Sequence, residues 1–350
     1  MEAERFDLVA RAVGSPQTRR GALALLGGAA AWPLHDVLSV AAKKKRKKKN
    51  KKKRKQKNKK KACTPQCAGC GGGDGCGGTC GCGANQLCDA GTCRTCDVTC
   101  MEDAVACGAR LNQRLQAGGT VYVCPGRYQA NLSMPAGKLI GAGSGSDPAT
   151  STILDGGGAR RVVTVESNAD VELMGLRIMH GDAGGATGGG VRSQGGELRI
   201  TRCVIEANTA QDGGGVWVKG PFQITGSTIS GNTVPGIGGG LLVFSDAGDN
   251  GFITDSAITG NTASQYGGGI YKFASPLAIT NSTISGNHAG LGGGALQMSG
   301  GSVTFNSSSK VNQNTAPSGG LAHGTGGTVV LNGAEHTGNS TPECTGVTCS

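Results

Sequence analysis

The sequence has few aromatic residues and no long apolar run. Only 3% of its 350 residues are Phe, Trp or Tyr, which is too few large rings for the core of an ordinary globular domain. Its apolar stretch near the N-terminus, residues 21–34, has about 14 residues, whereas a transmembrane helix needs about 20. Glycine is abundant, with 65 residues. It shows no three-residue period, which excludes collagen and favours a solenoid with recurring turns.

The excess of positive charge is confined to one segment. Residues 43–61 hold 16 of the 34 Lys and Arg residues, which leaves 18 against 23 Asp and Glu in the rest of the chain. Because like charges repel and no apolar side chain interrupts them, we predict a disordered arm here. Two roles fit it: binding an anionic envelope polymer or extracellular nucleic acid, or a solvated tether without a specific partner.

The N-terminus carries the features of an export signal. Thr18, Arg19 and Arg20 precede the apolar stretch, and the small residues at 39–42 suit a signal peptidase. Residues 1–42 therefore resemble a bacterial twin-arginine signal, although Leu23-Ala24 departs from its usual Phe-Leu-Lys. We expect an exported protein, extracellular or attached to the cell envelope, with no transmembrane segment after cleavage. The alternative is an uncleaved helix that keeps the basic arm beside the membrane.

Cysteines are concentrated in residues 62–100, which hold ten of the fifteen. This density predicts a disulfide-stabilised module in an oxidising compartment. A zinc site is the alternative, but only residues 67–70 and 93–96 have CxxC spacing and no histidine lies nearby. Residues 71–75 look like a single calcium-binding turn, which is a weak signal. We therefore expect no metal or cofactor, with calcium as the alternative.

Residues 101–118 have a one-faced stripe of apolar and small residues at helical spacing, which predicts a helix ending at Gly118. Residues 120–128 then read TVYVCPGRY and residues 139–143 read LIGAG. This order resembles the first coil of the pectin-lyase-like superfamily, in which a short helix covers the open end of a right-handed parallel β-helix. The resemblance implies an all-β solenoid over residues 119–343.

The resemblance also suggests where cysteines pair. Cys124 stands where that superfamily has a proline, and Cys107 lies on the candidate helix, so we predict a disulfide bond between them. Cys344 and Cys349 are predicted to staple the tail, residues 344–350.

The rest of the chain repeats with intervals of 24 to 29 residues. One apolar position recurs as Leu173, Ile200, Ile224, Ile253 and Ile279. A second recurs five residues later as Ile178, Ile205, Ile229, Ile258 and Ile284. Glycine triplets close the units, each followed by an apolar residue: Val191, Val216, Leu241, Ile270 and Ala295. Such units predict coils of three short strands, each pairing in parallel with its copy in the next coil.

Asparagine also recurs at one place in each unit: Asn208, Asn232, Asn261, Asn287 and Asn314. We predict that these side chains form a buried hydrogen-bonded ladder at a corner of the coil; a ligand site is the alternative. Cys203 occupies the position held elsewhere by Ser227, Ser256 and Ser282, which predicts a buried free thiol. The alternation of GGG[VLI] with IxxN is also similar to the repeats of bacterial polymorphic outer-membrane proteins.

One cluster of charged residues is a candidate for catalysis. Alignment of the coils places Asp170 beside Glu197 and Glu172 beside Arg199, as a catalytic or calcium site requires. The alternative is a salt-bridged edge. We predict a non-catalytic protein that binds a glycan or an anionic wall polymer. The competing hypothesis is a polysaccharide lyase or glycoside hydrolase acting on an acidic polysaccharide.

A second candidate site lies after the glycine triplets. If the neighbours of Trp217 point inward, Trp217 points outward, and Arg192, Leu242, Tyr271 and Leu296 share its register. An exposed ribbon of this kind could stack on sugar rings. The alternative is that a loop covers it as ordinary packing.

Overall fold

The structure is a computed structural model that describes residues 82–245 and 248–350. The predicted export signal, the basic arm and residues 62–81 of the cysteine-rich module lie outside the described residues. The described chain is a parallel β-solenoid of about eight turns, preceded by a disulfide-bonded segment. This confirms the predicted fold class.

A hairpin and a helix come first. The hairpin pairs β1 (Gln86–Asp89) with β2 (Thr92–Thr95) in antiparallel fashion. Helix α1 (Ala104–Leu115) begins at Asp103, whose carboxylate accepts the N–H groups of the two residues at its first turn. It buries one face on the first coil, as predicted. Gly108 permits this contact, because a Cβ atom there would lie 1.9 Å from the carbonyl oxygen of Gln129. No helix within residues 82–245 and 248–350 is long and apolar enough to cross a membrane.

The chain then winds repeatedly through three sheets. Sheet 1 comprises β3 (Gly119–Val123), β6 (Gly137–Gly141), β9 (Val171–Met174), β12 (Leu198–Thr201), β15 (Phe222–Thr225), β19 (Gly251–Thr254), β23 (Leu277–Thr280), β27 (Ser302–Phe305), β30 (Thr328–Val330) and β32 (Thr348–Cys349). Sheet 2 comprises β4 (Gly126–Gln129), β7 (Thr152–Asp155), β10 (Leu176–Met179), β13 (Val204–Glu206), β16 (Thr228–Ser230), β20 (Ala257–Thr259), β24 (Thr283–Ser285) and β28 (Lys310–Asn312). Sheet 3 comprises β5 (Leu132–Met134), β8 (Val163–Val165), β11 (Val191–Gln194), β14 (Val216–Lys219), β18 (Leu241–Val243), β22 (Ile270–Lys272), β26 (Leu296–Met298), β29 (Ala322–Gly324) and β31 (Cys344–Thr345). A short sheet at the corner between sheets 2 and 3 comprises β17 (Thr233–Val234), β21 (Thr262–Ala263) and β25 (His288–Ala289).

The core is formed by the apolar columns that the repeats predict. In sheet 2 the paired residues are Ile178, Ile205, Ile229, Ile258 and Ile284. In sheet 1 they are Leu173, Ile200, Ile224, Ile253 and Ile279. All of these side chains are buried. The predicted register is therefore confirmed in both sheets.

The glycine triplets form the corner that leads into sheet 3. Gly238 and Gly267, the first residues of two triplets, have a φ of +68°, and Gly293 has a φ of +70°. In the triplet at residues 292–294, the positive φ needed at the start of the corner is therefore found at the second glycine, Gly293, and not at the first, Gly292. The predicted register slips by one residue here, because Leu296, not Ala295, pairs with Ile270 in the inward position. The larger side chain buries more apolar surface.

The asparagines lie at the corner after sheet 2 and are fully buried. The Oδ1 atom of Asn232 accepts hydrogen bonds from both the backbone N–H and the Nδ2 atom of Asn208, each at 3.0 Å. The same pair of bonds repeats through Asn261, Asn287 and Asn314. The ladder continues to Asn339, which the repeat pattern did not predict. Each rung satisfies one backbone donor and one side-chain donor that are shielded from water.

The predicted disulfide bond between Cys107 and Cys124 is wrong. Cys124 is bonded to Cys96, and Cys107 is bonded to Cys100. The reason is that Val98 forms a parallel bridge with Val123, so the end of the cysteine-rich segment runs along the first coil. Two further bonds join Cys82 to Cys93 and Cys344 to Cys349, and Cys203 is a buried free thiol.

Candidate functional site

The outer surface of sheet 3 presents one side chain from each coil in a single column. Strand pairing places these residues in register. From β8 to β29 they are Thr164, Arg192, Trp217, Leu242, Tyr271, Gln297 and His323. The register predicted for Arg192, Trp217, Leu242 and Tyr271 is confirmed. Leu296 points inward, and Gln297 takes the outward position in its place.

Four rings are in contact on this surface. Trp217 stacks on Phe244 with ring centroids 6.3 Å apart, and Phe244 meets Phe273 edge-on at 4.6 Å. Tyr271 lies 5.2 Å from Phe273. The two phenylalanines follow β18 and β22 directly, so the four rings span three consecutive coils. We call Trp217, Phe244, Tyr271 and Phe273 the aromatic cluster.

The prediction that Trp217 and Leu242 belong to an exposed ribbon is wrong, since Leu242 is only 3% exposed. Only 9% of Trp217 is exposed, because the guanidinium of Arg192 lies 4.9 Å from the indole centroid and Phe244 packs against the same side chain. The ring that reaches solvent is Phe244, which is 46% exposed. Tyr271 and Phe273 are half-buried. Phe244 and Phe273 were missed because the alternation was followed only to Leu242 and Tyr271. Each phenylalanine is two residues further on and so shares their face.

Positive charge borders the aromatic cluster on one side. Arg161 donates from Nε to the carbonyl oxygen of Gly188 at 2.8 Å and from Nη2 to that of Thr187 at 2.7 Å. Its Nη1 atom donates to the hydroxyl of Thr164 at 3.3 Å, and Thr164 pairs with Arg192. Burial, and secondarily the charge of Arg192, lower the pKa of Arg161. No described carboxylate forms an ion pair with either arginine.

A cavity of about 490 Å³ lies beside Arg161. Its lining includes Asn131, Arg160 and Asp182. The carboxylate of Asp182 accepts the backbone N–H of Gly184 at 2.7 Å, and the side chain of Arg160 is exposed. The cavity thus adds a further cation and one engaged carboxylate to this end of the surface.

The charged cluster predicted from the repeats lies on sheet 1. Glu172 pairs in register with Arg199, and Asp170 accepts the backbone N–H of Glu197 at 2.8 Å, so the predicted neighbours do meet. Glu172 forms an ion pair with Lys138 at 2.8 Å, and Arg199 forms one with Glu197, as in the salt-bridged edge that was the alternative. Each of the three carboxylates is therefore engaged by a cation or an N–H group. Among the described residues no group of three or more His, Cys, Asp or Glu could hold a metal ion. The calcium-like turn at residues 71–75 lies outside them.

Sheet 3 also contains a buried lysine that the sequence did not single out. Lys272 is 0% exposed and points inward between Val243 and Met298. Its Nζ atom donates to the carbonyl oxygens of Phe273 at 2.8 Å and Gly300 at 2.7 Å. Burial lowers its pKa from 10.5 to about 8. Two backbone dipoles thus replace the carboxylate that a buried ammonium group usually has.

No protein-family model, curated protein or solved structure matches this chain. The β-solenoid assignment therefore rests on the strand pairing described above. The candidate site is interpreted from its own geometry.

Proposed function

We propose that this is a non-catalytic protein, exported or attached to the cell envelope, that binds a glycan or anionic envelope polymer through the outer surface of sheet 3. The observation that carries this proposal is the aromatic cluster. The chain has two Trp, four Tyr and six Phe residues, and a third of them are in contact here. Among the described residues the solenoid core holds three rings, Tyr128, Phe222 and Phe305, so a contiguous group of four on an outer surface favours binding.

The cluster suits sugars for physical reasons. The C–H faces of a pyranose stack on aromatic rings, and the exposed ring of Phe244 offers such a surface with Tyr271 beside it. Strand spacing of about 4.8 Å places equivalent side chains of alternate coils about 10 Å apart, on the scale of a disaccharide. Because parallel strands hold the rings in place, little conformational entropy is lost on binding.

Location is part of the same proposal. The disulfide bonds at the start of the solenoid favour an oxidising compartment. We include three further points in the proposal. The protein is exported by the twin-arginine route, and it is related to the right-handed pectin-lyase-like superfamily. Residues 43–61 retain it on an anionic polymer.

The enzyme hypothesis has less support. A lyase or hydrolase acting at Asp170, Glu172, Glu197 and Arg199 needs a carboxylate or cation free to exchange a proton with substrate. The ion pairs of these residues with one another and with Lys138 favour a structural role.

The chain offers a matched pair of phenylalanines for the test. Phe244 and Phe252 are each 46% exposed, but Phe252 belongs to β19 on sheet 1. Binding to an array of neutral and acidic oligosaccharides should fall about tenfold in Phe244→Ala, as expected for loss of one stacking ring. Phe252→Ala should bind like the unchanged protein.

Three results contradict the proposal. One is equal weakening by the two substitutions, and another is failure of the unchanged protein to bind any glycan. The third is release of unsaturated or reducing ends that disappears in Glu197→Gln, which favours the enzyme.

A further inference from the structure

We propose that Arg161 and Arg192 form an anion subsite beside the aromatic cluster, so that the bound glycan carries a carboxylate or sulfate group next to the sugar that lies on the rings. This inference rests on the proposed function and adds the chemical class of the ligand. It concerns a surface of sheet 3, away from the charged cluster of sheet 1.

Position is the first argument. Thr164, Arg192 and Trp217 occupy successive coils in one column, about 4.8 Å apart. Arg161 reaches the same column through its hydrogen bond to Thr164. The order along the surface is therefore Arg161, Arg192 and then the rings. A saccharide chain on the rings would place its next sugar over the two guanidinium groups.

Unused hydrogen-bonding capacity is the second argument. A guanidinium has five N–H groups, and Arg161 uses those on Nε, Nη2 and Nη1 for backbone and hydroxyl partners. One N–H on each terminal nitrogen is left over. Two such groups in one plane match the two oxygens of a carboxylate or sulfate. The bonds to Thr187 and Gly188 hold this fork in one orientation.

Charge balance is the third argument. On the other two sheets Arg127, Arg177 and Arg199 each pair with a carboxylate. Among residues 82–245 and 248–350, no carboxylate forms an ion pair with Arg161 or Arg192, and Arg161 is partly removed from water. A half-buried cation without a counter-ion is costly. An anionic ligand would supply the missing charge.

The surroundings add a further cation, and the oxygens of the neighbouring acids are held by other donors. Arg160 lines the adjoining cavity of about 490 Å³, a volume within the range of about 300 to 1,000 Å³ typical of small-molecule sites. Two neighbouring carboxylates already accept hydrogen bonds from uncharged groups. Asp182 accepts the N–H of Gly184, and Glu166 accepts the hydroxyl of Ser133 at 2.8 Å.

The test compares three probes: a uronic-acid hexasaccharide, the same hexasaccharide after reduction of its carboxyl groups, and a sulfated form of the reduced compound. Calorimetry should show that the unchanged protein prefers an anionic probe to the neutral one. Arg192→Gln and Arg161→Gln should each weaken the preferred anionic probe about tenfold, the loss of one charge-assisted contact, with little change for the neutral probe. The anionic probe that binds more tightly shows whether the ligand's anionic group is a carboxylate or a sulfate.

Two controls separate charge from structure. Arg199→Gln removes an arginine from sheet 1 and should leave all three affinities unchanged. Arg161→Lys keeps the charge but loses the fork, and it should recover part of the lost affinity. Thermal unfolding of each variant checks that the corner at Thr187 and Gly188 is intact. The preference for anionic probes should also shrink with added salt.

The two proposals fail in different ways. If Phe244→Ala weakens all probes while the arginine variants weaken none, the anion subsite is wrong and the glycan-binding proposal stands. Equal affinity of the unchanged protein for neutral and anionic probes likewise overturns the subsite. If no probe binds the unchanged protein, the subsite is wrong, and the glycan-binding proposal is wrong as well if the oligosaccharide array also yields no ligand.

Discussion

Buried Lys272 should make the stability of the solenoid depend on pH, and Lys272→Met isolates its contribution. Methionine fits the site because Met298 occupies the same inward position in the next coil. The substitution removes the titrating group and leaves two carbonyl oxygens without a donor. That second effect adds an offset that does not vary with pH.

The number of protons bound by the folded and unfolded chains decides whether stability rises or falls with pH. The folded-state pKa of Lys272 is about 8, below the ordinary 10.5. Between these values the unfolded chain binds more protons than the folded one, so the free energy of unfolding rises with pH. From about pH 7, the contribution of Lys272 should grow by about 1 kcal/mol by about pH 9 and by about 2 to 3 kcal/mol by about pH 10.

The buried thiol of Cys203 and the buried phenol of Tyr128 act in the opposite direction. Burial raises the pKa of the Cys203 thiol from 9.0 to about 12, and burial raises the pKa of Tyr128 from 10.0 to about 12. The unfolded chain loses these protons first, so their stabilising effect declines once pH exceeds the unfolded values. The total stability of the unchanged protein therefore hides the lysine. The difference in the free energy of unfolding between the unchanged protein and Lys272→Met reveals the lysine, because the thiol and the phenol are present in both proteins and their effects cancel.

The assay is urea unfolding of both proteins, followed by circular dichroism, from about pH 7 to about pH 10. The free energy of unfolding of the unchanged protein minus that of Lys272→Met should rise along the calculated curve. Parallel curves would refute the reasoning, since they would mean that Lys272 titrates as it does in water. A difference that falls with pH would give its pKa shift the opposite sign.

Three shorter predictions follow from other parts of the molecule. Asn261→Ala should lower the free energy of unfolding by about 3 kcal/mol or more, because two buried donors of Asn232 lose their acceptor; a loss below about 1 kcal/mol in urea unfolding would contradict the ladder's role. Cys203→Ser should change stability by less than about 1 kcal/mol, since serine holds this position in the following coils, and denaturation without reductant should expose Cys203 to alkylation. Deletion of residues 43–61 should abolish salt-sensitive retention on an anionic polymer without changing the melting temperature; unchanged retention would contradict the proposed attachment.

The sequence was informative where one physical requirement recurs in every coil. An inward isoleucine and a corner asparagine each repeat, so a wrong alignment would move whole columns out of the core. The register through Ile205 and the ladder through Asn208 could therefore be predicted. Asn339 was missed because the last coils depart from the repeat.

The structure was harder to predict from the sequence at features that do not repeat from coil to coil. Cys100 and Cys96 lie four residues apart, and only the path of Val98 along the first coil decides which of them reaches Cys124. The direction of Trp217 followed from alternation. Its burial did not, because the ring that covers it, Phe244, follows the end of the next strand in sheet 3. At Leu296 a run of glycines allowed two registers, and the larger apolar side chain took the core position.

The pairing of the segment before α1 with the first coil has a consequence for self-assembly. A stack of similar coils has no intrinsic length, since an uncovered first strand can accept another strand and begin a filament. Here the backbone N–H of Asp97 donates to the carbonyl oxygen of Tyr122 at 2.7 Å, and the carbonyl oxygen of Val98 accepts the backbone N–H of Cys124 at 3.0 Å, so the edge of β3 is already occupied. The bond between Cys96 and Cys124 fastens that segment in place. Reduction of this bond would free the segment to detach, and the uncovered edge of β3 could then pair with a strand of another molecule.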